Sequence, residues 1–135
     1  MSGMATGILQ ERVGASWLLD KVTLRGSAAG FAQLTEILLD NAVKYSRPGG
    51  KIYVGLKAAG ARRCVLTVAD EGEPIEPGEL ENIFRRFYRA PQHKGGSGFG
   101  LGLAIAESIT ERARGKIRCE SSGGWNCFIA ELPRI

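Results

Sequence analysis

The sequence lacks any apolar run long enough to cross a membrane, and its N-terminus has no basic region followed by a hydrophobic one. Because a spanning helix needs about 20 apolar residues, the sequence predicts neither a membrane helix nor a signal peptide, and we expect a cytoplasmic chain. The 135 residues, 44% hydrophobic and 24% charged, suit one globular domain with a substantial core. We assign this domain to residues 8–135 and exclude the small and polar residues 1–7.

Cysteine and histidine are scarce, and the net charge is modest. The three cysteines, Cys64, Cys119 and Cys127, show no C-x-x-C spacing, and His93 is the one histidine. This pattern excludes a zinc site and a disulfide framework, so we expect reduced core thiols. The formal charge is +4, and the basic residues are scattered without interleaved aromatic residues. Nucleic acid is therefore not an expected partner, and a small ligand that carries phosphate explains the excess equally well.

The stretch that organises the chain is LTEILLDNAVKYS, residues 34–46. It lies in a predicted helix from about Ala28 to Tyr45 that Ser27 can cap. The buried stripe of this helix recurs at helical spacing and comprises Phe31, Leu34, Leu38 and Ala42. On the edge of the stripe, Asn41 offers an amide oxygen suited to a magnesium ion bound otherwise by phosphate and water, and Lys44 could meet a phosphate. The alternative is a hydrogen-bonded core asparagine.

The rest of the chain shows strand and helix patterns in turn. A short strand is predicted at residues 22–25, a hairpin from residues 51–57 and 64–69 with Gly60 in its turn, and a closing hairpin from residues 116–120 and 126–132. Helices are predicted over residues 79–88 and 100–113, the latter with Leu101, Ile105 and Ile109 on its buried face. These elements indicate the α+β class, as a two-layer α/β sandwich with helices on one face of a mixed, mostly antiparallel sheet.

Two short segments precede the last helix. The first is DEGEPI, residues 70–75, which follows a predicted strand. Its Asp70 could merely cap a turn, or it could accept a hydrogen bond from the exocyclic amine of a base while Gly72 leaves room for the ring. The second is IFRRFYR, residues 83–89, whose aromatic residues lie three apart. Taken alone, it indicates a packed helix with a solvated basic face.

A glycine-rich segment, GGSGFGLGL at residues 95–103, opens onto the last helix. Its backbone N–H groups and the helix N-terminus attract phosphates. The spacing contains neither G-x-x-x-x-G-K-[ST] nor G-x-G-x-x-G, and no His-Arg-Asp catalytic loop is present. P-loop, Rossmann and eukaryotic-type protein kinase sites are therefore excluded. Taken alone, such a segment is a flexible linker as often as a phosphate cradle.

Taken in order, these four boxes resemble the ATP-binding catalytic domain of bacterial sensor histidine kinases, within the ATPase superfamily shared with gyrase and the mismatch-repair and heat-shock chaperone ATPases. The matching boxes are LLDNAVKYS, DEGEPI, IFRRFYR and GSGFGLGLAI, and the resemblance covers about Gly26 to Pro133. It implies the Bergerat ATP-binding fold, with ATP and Mg²⁺ as ligands. The family's usual second glycine in the DEGEPI box is Pro74 here, which stiffens that turn.

The resemblance also implies a role for each matched position. Asn41 is the implied magnesium ligand, and Asn41, Lys44 and Arg89 are the implied catalytic residues that handle the phosphates. Asp70 is the implied reader of adenine. The other implied nucleotide-binding residues are Tyr45, Gly72, Ile75, Gly98, Gly100, Leu101 and Gly102.

Two departures shape the expected function. Hydrolysing members of the superfamily carry a glutamate general base four residues before the magnesium asparagine, and this sequence has Ile37 there. His93 lies between two boxes without an acidic neighbour, so the acceptor histidine is expected on a dimerisation hairpin of a longer, homodimeric parent that serves a response regulator. The implied function is to present the γ-phosphate of ATP to that histidine. Two alternatives stay open, a serine kinase of the anti-sigma-factor type and a degenerate nucleotide-sensing module.

Overall fold

The computed structural model describes residues 15–19, 27–85 and 101–135, the first of these ranges by its backbone alone. Five strands and two α-helices follow one another along these ranges. In chain order they are β1 Ala15–Leu19, α1 Ala28–Tyr45, β2 Ile52–Ala59, β3 Arg63–Glu71, α2 Gly102–Arg112, β4 Lys116–Ser122 and β5 Trp125–Pro133. Among the described residues, no helix is long and apolar enough to cross a membrane.

The five strands form one mixed sheet in the order β1-β2-β3-β5-β4. β1 runs parallel to β2, and the other three pairings are antiparallel. The two predicted hairpins are present, with their turns at Gly60 and at Gly123 and Gly124, all of which have positive φ angles that favour glycine. Both helices have their buried side chains in the single core of the sheet. The α+β class and the two-layer architecture are therefore confirmed.

Helix α1 follows the prediction in both its bounds and its buried face. Ser27 caps it by accepting a hydrogen bond from the Gly30 N–H at 3.1 Å. Leu34, Leu38 and Ala42 are buried in the core, and Phe31 packs partly buried against it. Full burial of a leucine side chain stabilises a fold by roughly 1.5–3 kcal/mol, so this stripe holds the helix on the sheet.

The predicted helix over residues 79–88 is wrong in its described part. Two short 3₁₀ turns, Pro77–Glu79 and Asn82–Phe84, stand there instead, and Arg85 is extended. The Asn82 side-chain amide donates to the Gly78 carbonyl oxygen and to the Glu79 carboxylate, both at 3.4 Å. Such local hydrogen bonds compete with a regular helix. The tight turns also bury two consecutive residues, Ile83 and Phe84, which a single helix face would not do.

Helix α2 is shorter than predicted and buries a different face. The fully buried residues are Ala106 and Thr110, whereas Ile105 is 41% exposed and Leu101 and Ile109 are half-buried. Small side chains at positions 106 and 110 allow α2 to lie close to the core. The Thr110 hydroxyl can be buried because it donates to the Ala106 carbonyl oxygen at 2.8 Å. Of the predicted stripe, Ile109 packs partly buried against the core whereas Ile105 is exposed, so hydrophobicity alone identified the buried face only in part.

The N-terminal part of the sheet was not predicted. The short strand predicted at residues 22–25 lies outside the described residues, and β1 was not recognised because its sequence, ASWLL, shows no clear alternation of apolar and polar residues. The cysteine prediction is confirmed in that all three thiols are free. Cys64 and Cys119 are buried and Cys127 is half-buried, and desolvation is the main cause that raises the pKa of each thiol.

Candidate functional site

The site is built around a buried carboxylate. Asp70 lies next to the last residue of β3, between Ile52 of β2 and Asn126 of β5, and its side chain is 1% exposed. Desolvation raises the pKa of this carboxyl to about 7. Its Oδ2 atom is buried and has no hydrogen-bond partner within the described part of the chain. Because an unpaired buried carboxylate oxygen is costly, this atom fits a ligand that brings its own donor, such as an exocyclic amine.

Gly72 lies directly beside this oxygen. A Cβ atom at this position would stand 2.8 Å from Asp70 Oδ2 and 2.6 Å from the carbonyl oxygen of Tyr45. Neither distance is possible for a real side chain, and the second partner is backbone. Glycine is therefore required here, as the sequence suggested. The same distances show that the end of α1 lies next to Asp70 and Gly72.

Hydrogen bonds between the turn after α1 and the end of β3 hold these two elements together. The Arg47 N–H donates to the Glu71 carbonyl oxygen at 2.8 Å, and the Glu71 N–H donates to the Lys51 carbonyl oxygen at 3.0 Å. The Glu71 carboxylate accepts from the Lys51 N–H at 2.8 Å and from the Arg47 guanidinium at 3.1 Å. These bonds span the turn after α1, so Tyr45 and Asp70 are held in a fixed relation.

The loop that follows Gly72 is tied to the β4–β5 hairpin. The Gly72 N–H donates to the Gly124 carbonyl oxygen at 3.3 Å. The Asn126 amide donates to the Glu73 carbonyl oxygen at 2.8 Å, and the Ile75 N–H donates to the Ser121 hydroxyl at 3.0 Å. Sequence reasoning missed the hairpin residues of this contact. One signal was available, since Asn126 is a polar residue at an inward-facing position in the alternating pattern of β5.

Asn41 and Lys44 lie on the solvent side of α1. Asn41 is half-buried, and its amide makes no hydrogen bond to the residues that the structure describes. Both predictions for Asn41, a magnesium ligand and a hydrogen-bonded core asparagine, therefore stay predictions. Lys44 forms an ion pair with Asp40 at 3.3 Å, and because the two side chains are 39% and 68% exposed, this pair lies at the surface.

A single neutral amide oxygen fits a magnesium ion that takes its other ligands from phosphate and water. No group of three or more His, Cys, Asp or Glu residues in the described ranges could hold a metal ion. The residues present therefore do not form an all-protein metal cage, and they fit a metal that arrives with a nucleotide.

The end of the glycine-rich segment meets α1. Gly102 is the first residue of α2, and a Cβ atom there would lie 3.5 Å from Cγ2 of Ile37, which is an ordinary packing distance. Leu101 precedes it as the N-cap residue and is half-buried. Ile37, the position to which the family resemblance assigns a general base in hydrolysing members, is thus an aliphatic side chain near the end of the glycine-rich segment.

Other predicted site residues fall outside the described residues. They are Arg89, Gly98 and Gly100, and their roles stay predictions; His93 lies outside the described residues as well. The IFRRFYR box is described only at its start, where the ring of Phe84 packs edge-on against Phe128 with centroids 6.2 Å apart. The structure therefore brings together Asp70, Gly72 and the backbone of Tyr45, with Ile75 on the loop that follows, and it places Gly102 near α1.

Comparison with known proteins gives consistent results. The profile of the family described as histidine kinase-, DNA gyrase B-, and HSP90-like ATPase matches residues 26–135. Sensor histidine kinase TrcS of Mycobacterium tuberculosis is 38% identical over 121 residues, which are 86% of this chain and 24% of TrcS. The signal transduction histidine-protein kinase/phosphatase MprB of Mycolicibacterium vanbaalenii is 40% identical over 97 residues, 72% of this chain and 20% of MprB.

The fold has solved counterparts as well. A structure of a mycobacterial sensor histidine kinase MprB superposes with a TM-score of 0.80 at 26% identity and covers 97% of this chain and 91% of that one. In length, the chain spans about a quarter or less of the two curated relatives it matches.

Proposed function

Because the chain belongs to the histidine kinase-, DNA gyrase B-, and HSP90-like ATPase family, we propose that it is the ATP-binding catalytic domain of a two-component sensor histidine kinase. In this proposal the domain binds ATP and presents its γ-phosphate to a histidine on a dimerisation hairpin of the parent protein. The observation that carries it is the buried Oδ2 of Asp70 beside Gly72, which has no hydrogen-bond partner among the residues that the structure describes.

The base side of the site would recognise adenine through one polar contact and a shaped space. The Asp70 carboxylate, when ionised, is an acceptor only, so it selects a base that offers an exocyclic amine at that edge. Gly72 leaves the space for the ring. The Tyr45 carbonyl oxygen lies beside Gly72, and Ile75 follows on the same loop, so we assign Tyr45 and Ile75 to the walls of the pocket.

The phosphate side would work by position and charge rather than by covalent chemistry. Asn41 would hold a magnesium ion, which supplies positive charge to the phosphate oxygens when bound. Lys44 would meet a phosphate as a point charge, and Arg89 would contact the terminal phosphoryl group. The remaining proposed phosphate contacts come from the glycine-rich segment, Gly98, Gly100, Leu101 and Gly102.

Ile37 directs the proposed chemistry toward transfer. An aliphatic side chain cannot take a proton from water, so hydrolysis by this site should be slow. Transfer to an external histidine needs no such base from this domain, because the imidazole is itself the nucleophile. We also propose that the parent is a homodimer, that a response regulator takes the phosphoryl group onward, and that the domain works in the cytoplasm, where ATP is available.

A transfer assay tests the proposal. Incubated with labelled ATP and magnesium, the chain alone should neither label itself nor release phosphate appreciably. Addition of the parent's histidine-bearing hairpin should give acid-labile labelling of the hairpin, weakly because the tether that raises effective concentration is missing. Arg89→Ala should reduce this labelling more than it reduces ATP affinity, since its contact matters most in the transition state.

Three outcomes would contradict the proposal. The first is that the unsubstituted chain binds no adenine nucleotide. The second is robust phosphate release by the chain alone, which would refute the argument from Ile37. The third is acid-stable labelling of a serine on a partner protein, which would instead support the anti-sigma-type kinase; nothing in the reported relatives favours that alternative.

A further inference from the structure

Two side chains touch the DEGEPI loop without belonging to any of the four boxes. Ser121, near the end of β4, and Asn126, near the start of β5, are direct cross-strand partners. Asn126 is 3% exposed, and Ser121 is half-buried. A polar pair buried this far must be hydrogen-bonded, and the partners it has chosen are backbone groups of the loop beside Asp70.

The pair forms one continuous chain of hydrogen bonds that begins and ends on the loop. The Ile75 N–H donates to Ser121 Oγ at 3.0 Å, and the Ser121 hydroxyl donates to Asn126 Oδ1 at 2.6 Å. The Asn126 amide nitrogen then donates to the Glu73 carbonyl oxygen at 2.8 Å. Because Ser121 commits its proton to Oδ1, the amide nitrogen of Asn126 is directed toward Glu73.

The residue between the two anchored positions is Pro74. It has no backbone N–H, and its ring restricts φ to about −65°, so the loop has little freedom there. Gly72, on the other side of Glu73, is itself tied to the hairpin through Gly124. The hairpin therefore sets the path of residues 72–75 at three points. This arrangement accommodates a proline where related sequences carry a second glycine.

We propose that Ser121 and Asn126 are positioning residues for adenine binding, which hold residues 72–75 in the conformation that keeps the space beside Asp70 open. This inference rests on the proposed function, because it explains how the base side of that site keeps its shape. A loop that is already ordered loses less conformational entropy on binding. The Asn126 amide nitrogen also stands 3.6 Å from the place of a Cβ on Gly72, so the pair reaches the glycine beside Asp70 as well as the rest of the loop.

The test compares three variants of the full chain. Ser121→Ala breaks the chain of hydrogen bonds, Ser121→Thr keeps the hydroxyl, and Ser122→Ala makes the same chemical change at an exposed neighbour on the same strand. ADP and GDP affinities are measured by calorimetry well below the unfolding midpoint of each variant. Amide hydrogen exchange at Ile75 is measured in parallel, without nucleotide.

For Ser121→Ala we expect about tenfold weaker ADP binding, the equivalent of one buried hydrogen bond, with a smaller preference for ADP over GDP and faster exchange at Ile75. Ser121→Thr and Ser122→Ala should match the unsubstituted chain in ADP affinity, in the preference for ADP over GDP and in exchange at Ile75. Parental ADP affinity in Ser121→Ala would overturn the inference, even if the variant were less stable, because the pair would then be structural only. A parent that binds neither nucleotide would instead refute the proposed function itself.

Discussion

Protonation of Asp70 should weaken adenine binding at mildly acidic pH. Burial raises the pKa of this carboxyl to about 7, and its Oδ2 has no partner among the described residues. The ionised carboxylate is the form that accepts a hydrogen bond from an amine without competing as a donor. With a pKa of about 7, the ionised fraction falls from roughly 90% at pH 8 to roughly 10% at pH 6. The affinity for adenine nucleotides should therefore fall about tenfold over this range.

Calorimetric titration with ADP at pH 6, 7 and 8 measures this effect. The phosphate groups of ADP also titrate in this range, so the parent is compared with Asp70→Asn, whose amide does not titrate. The variant should bind ADP more weakly than the parent at pH 8, and the gap should close as the pH falls. If the two affinities ran parallel from pH 8 to pH 6, Asp70 would not be the group that reads the base.

Asp70→Asn should weaken ADP binding at pH 8, but it should raise the stability of the nucleotide-free fold. The ordinary pKa of an aspartate is 3.8 and burial raises that of Asp70 to about 7, so the folded state binds this proton more tightly than the unfolded state. The stability that the folded state gains by binding this proton is fully present below about pH 4 and is lost as the pH rises through 7. About three pKa units correspond to at most about 4 kcal/mol.

Asp70→Asn carries no charge to desolvate, so at pH 8 its free energy of unfolding should exceed that of the nucleotide-free, unsubstituted chain by about 1–3 kcal/mol. The variant should therefore also unfold at a higher temperature. Thermal unfolding at pH 8 and pH 5 gives the measurement. A gain that stayed the same at pH 5 would contradict the assigned cause.

Two further substitutions test the site. Gly72→Ala should destabilise the fold by about 2 kcal/mol and abolish tight ADP binding, because its Cβ would stand 2.6 Å from the Tyr45 carbonyl oxygen; a variant with parental thermal stability would show that the loop can move aside. Asn41→Ala should weaken binding of ATP in the presence of magnesium but leave binding in the presence of a chelator nearly unchanged. Equal losses in calorimetric affinity under both conditions would exclude a metal role for Asn41.

The parts of the fold that follow from local signals were predictable. Helix α1 has a capping serine and a stripe at regular spacing, and both hairpins have alternating strands with a glycine in the turn. The parts decided by tertiary contacts were not predictable in the same way. Helix α2 buries Ala106 and Thr110 because small residues allow close approach, which a search for large apolar residues does not find.

The same distinction applies to the site. Asp70 and Gly72 were found because a strand end followed by glycine is a local pattern. The structure then showed that the carboxylate is buried and that its Oδ2 has no hydrogen-bond partner within the described ranges. Ser121 and Asn126 were missed because their partners on the loop lie 46 and 53 residues away in the sequence. No window of sequence contains both ends of these hydrogen bonds.

The position of Ile37 near the start of α2 also bears on how this domain can evolve. One substitution, Ile37→Glu, would introduce the glutamate that the family resemblance assigns to hydrolysing members at this position. It would also place a carboxylate where the Cγ2 methyl group of Ile37 now lies, 3.5 Å from the place of a Cβ on Gly102 at the start of α2. We expect Ile37→Glu to loosen the packing between α1 and α2 as well as to favour wasteful ATP hydrolysis. Selection for a stable fold would therefore oppose the substitution before selection on signalling does.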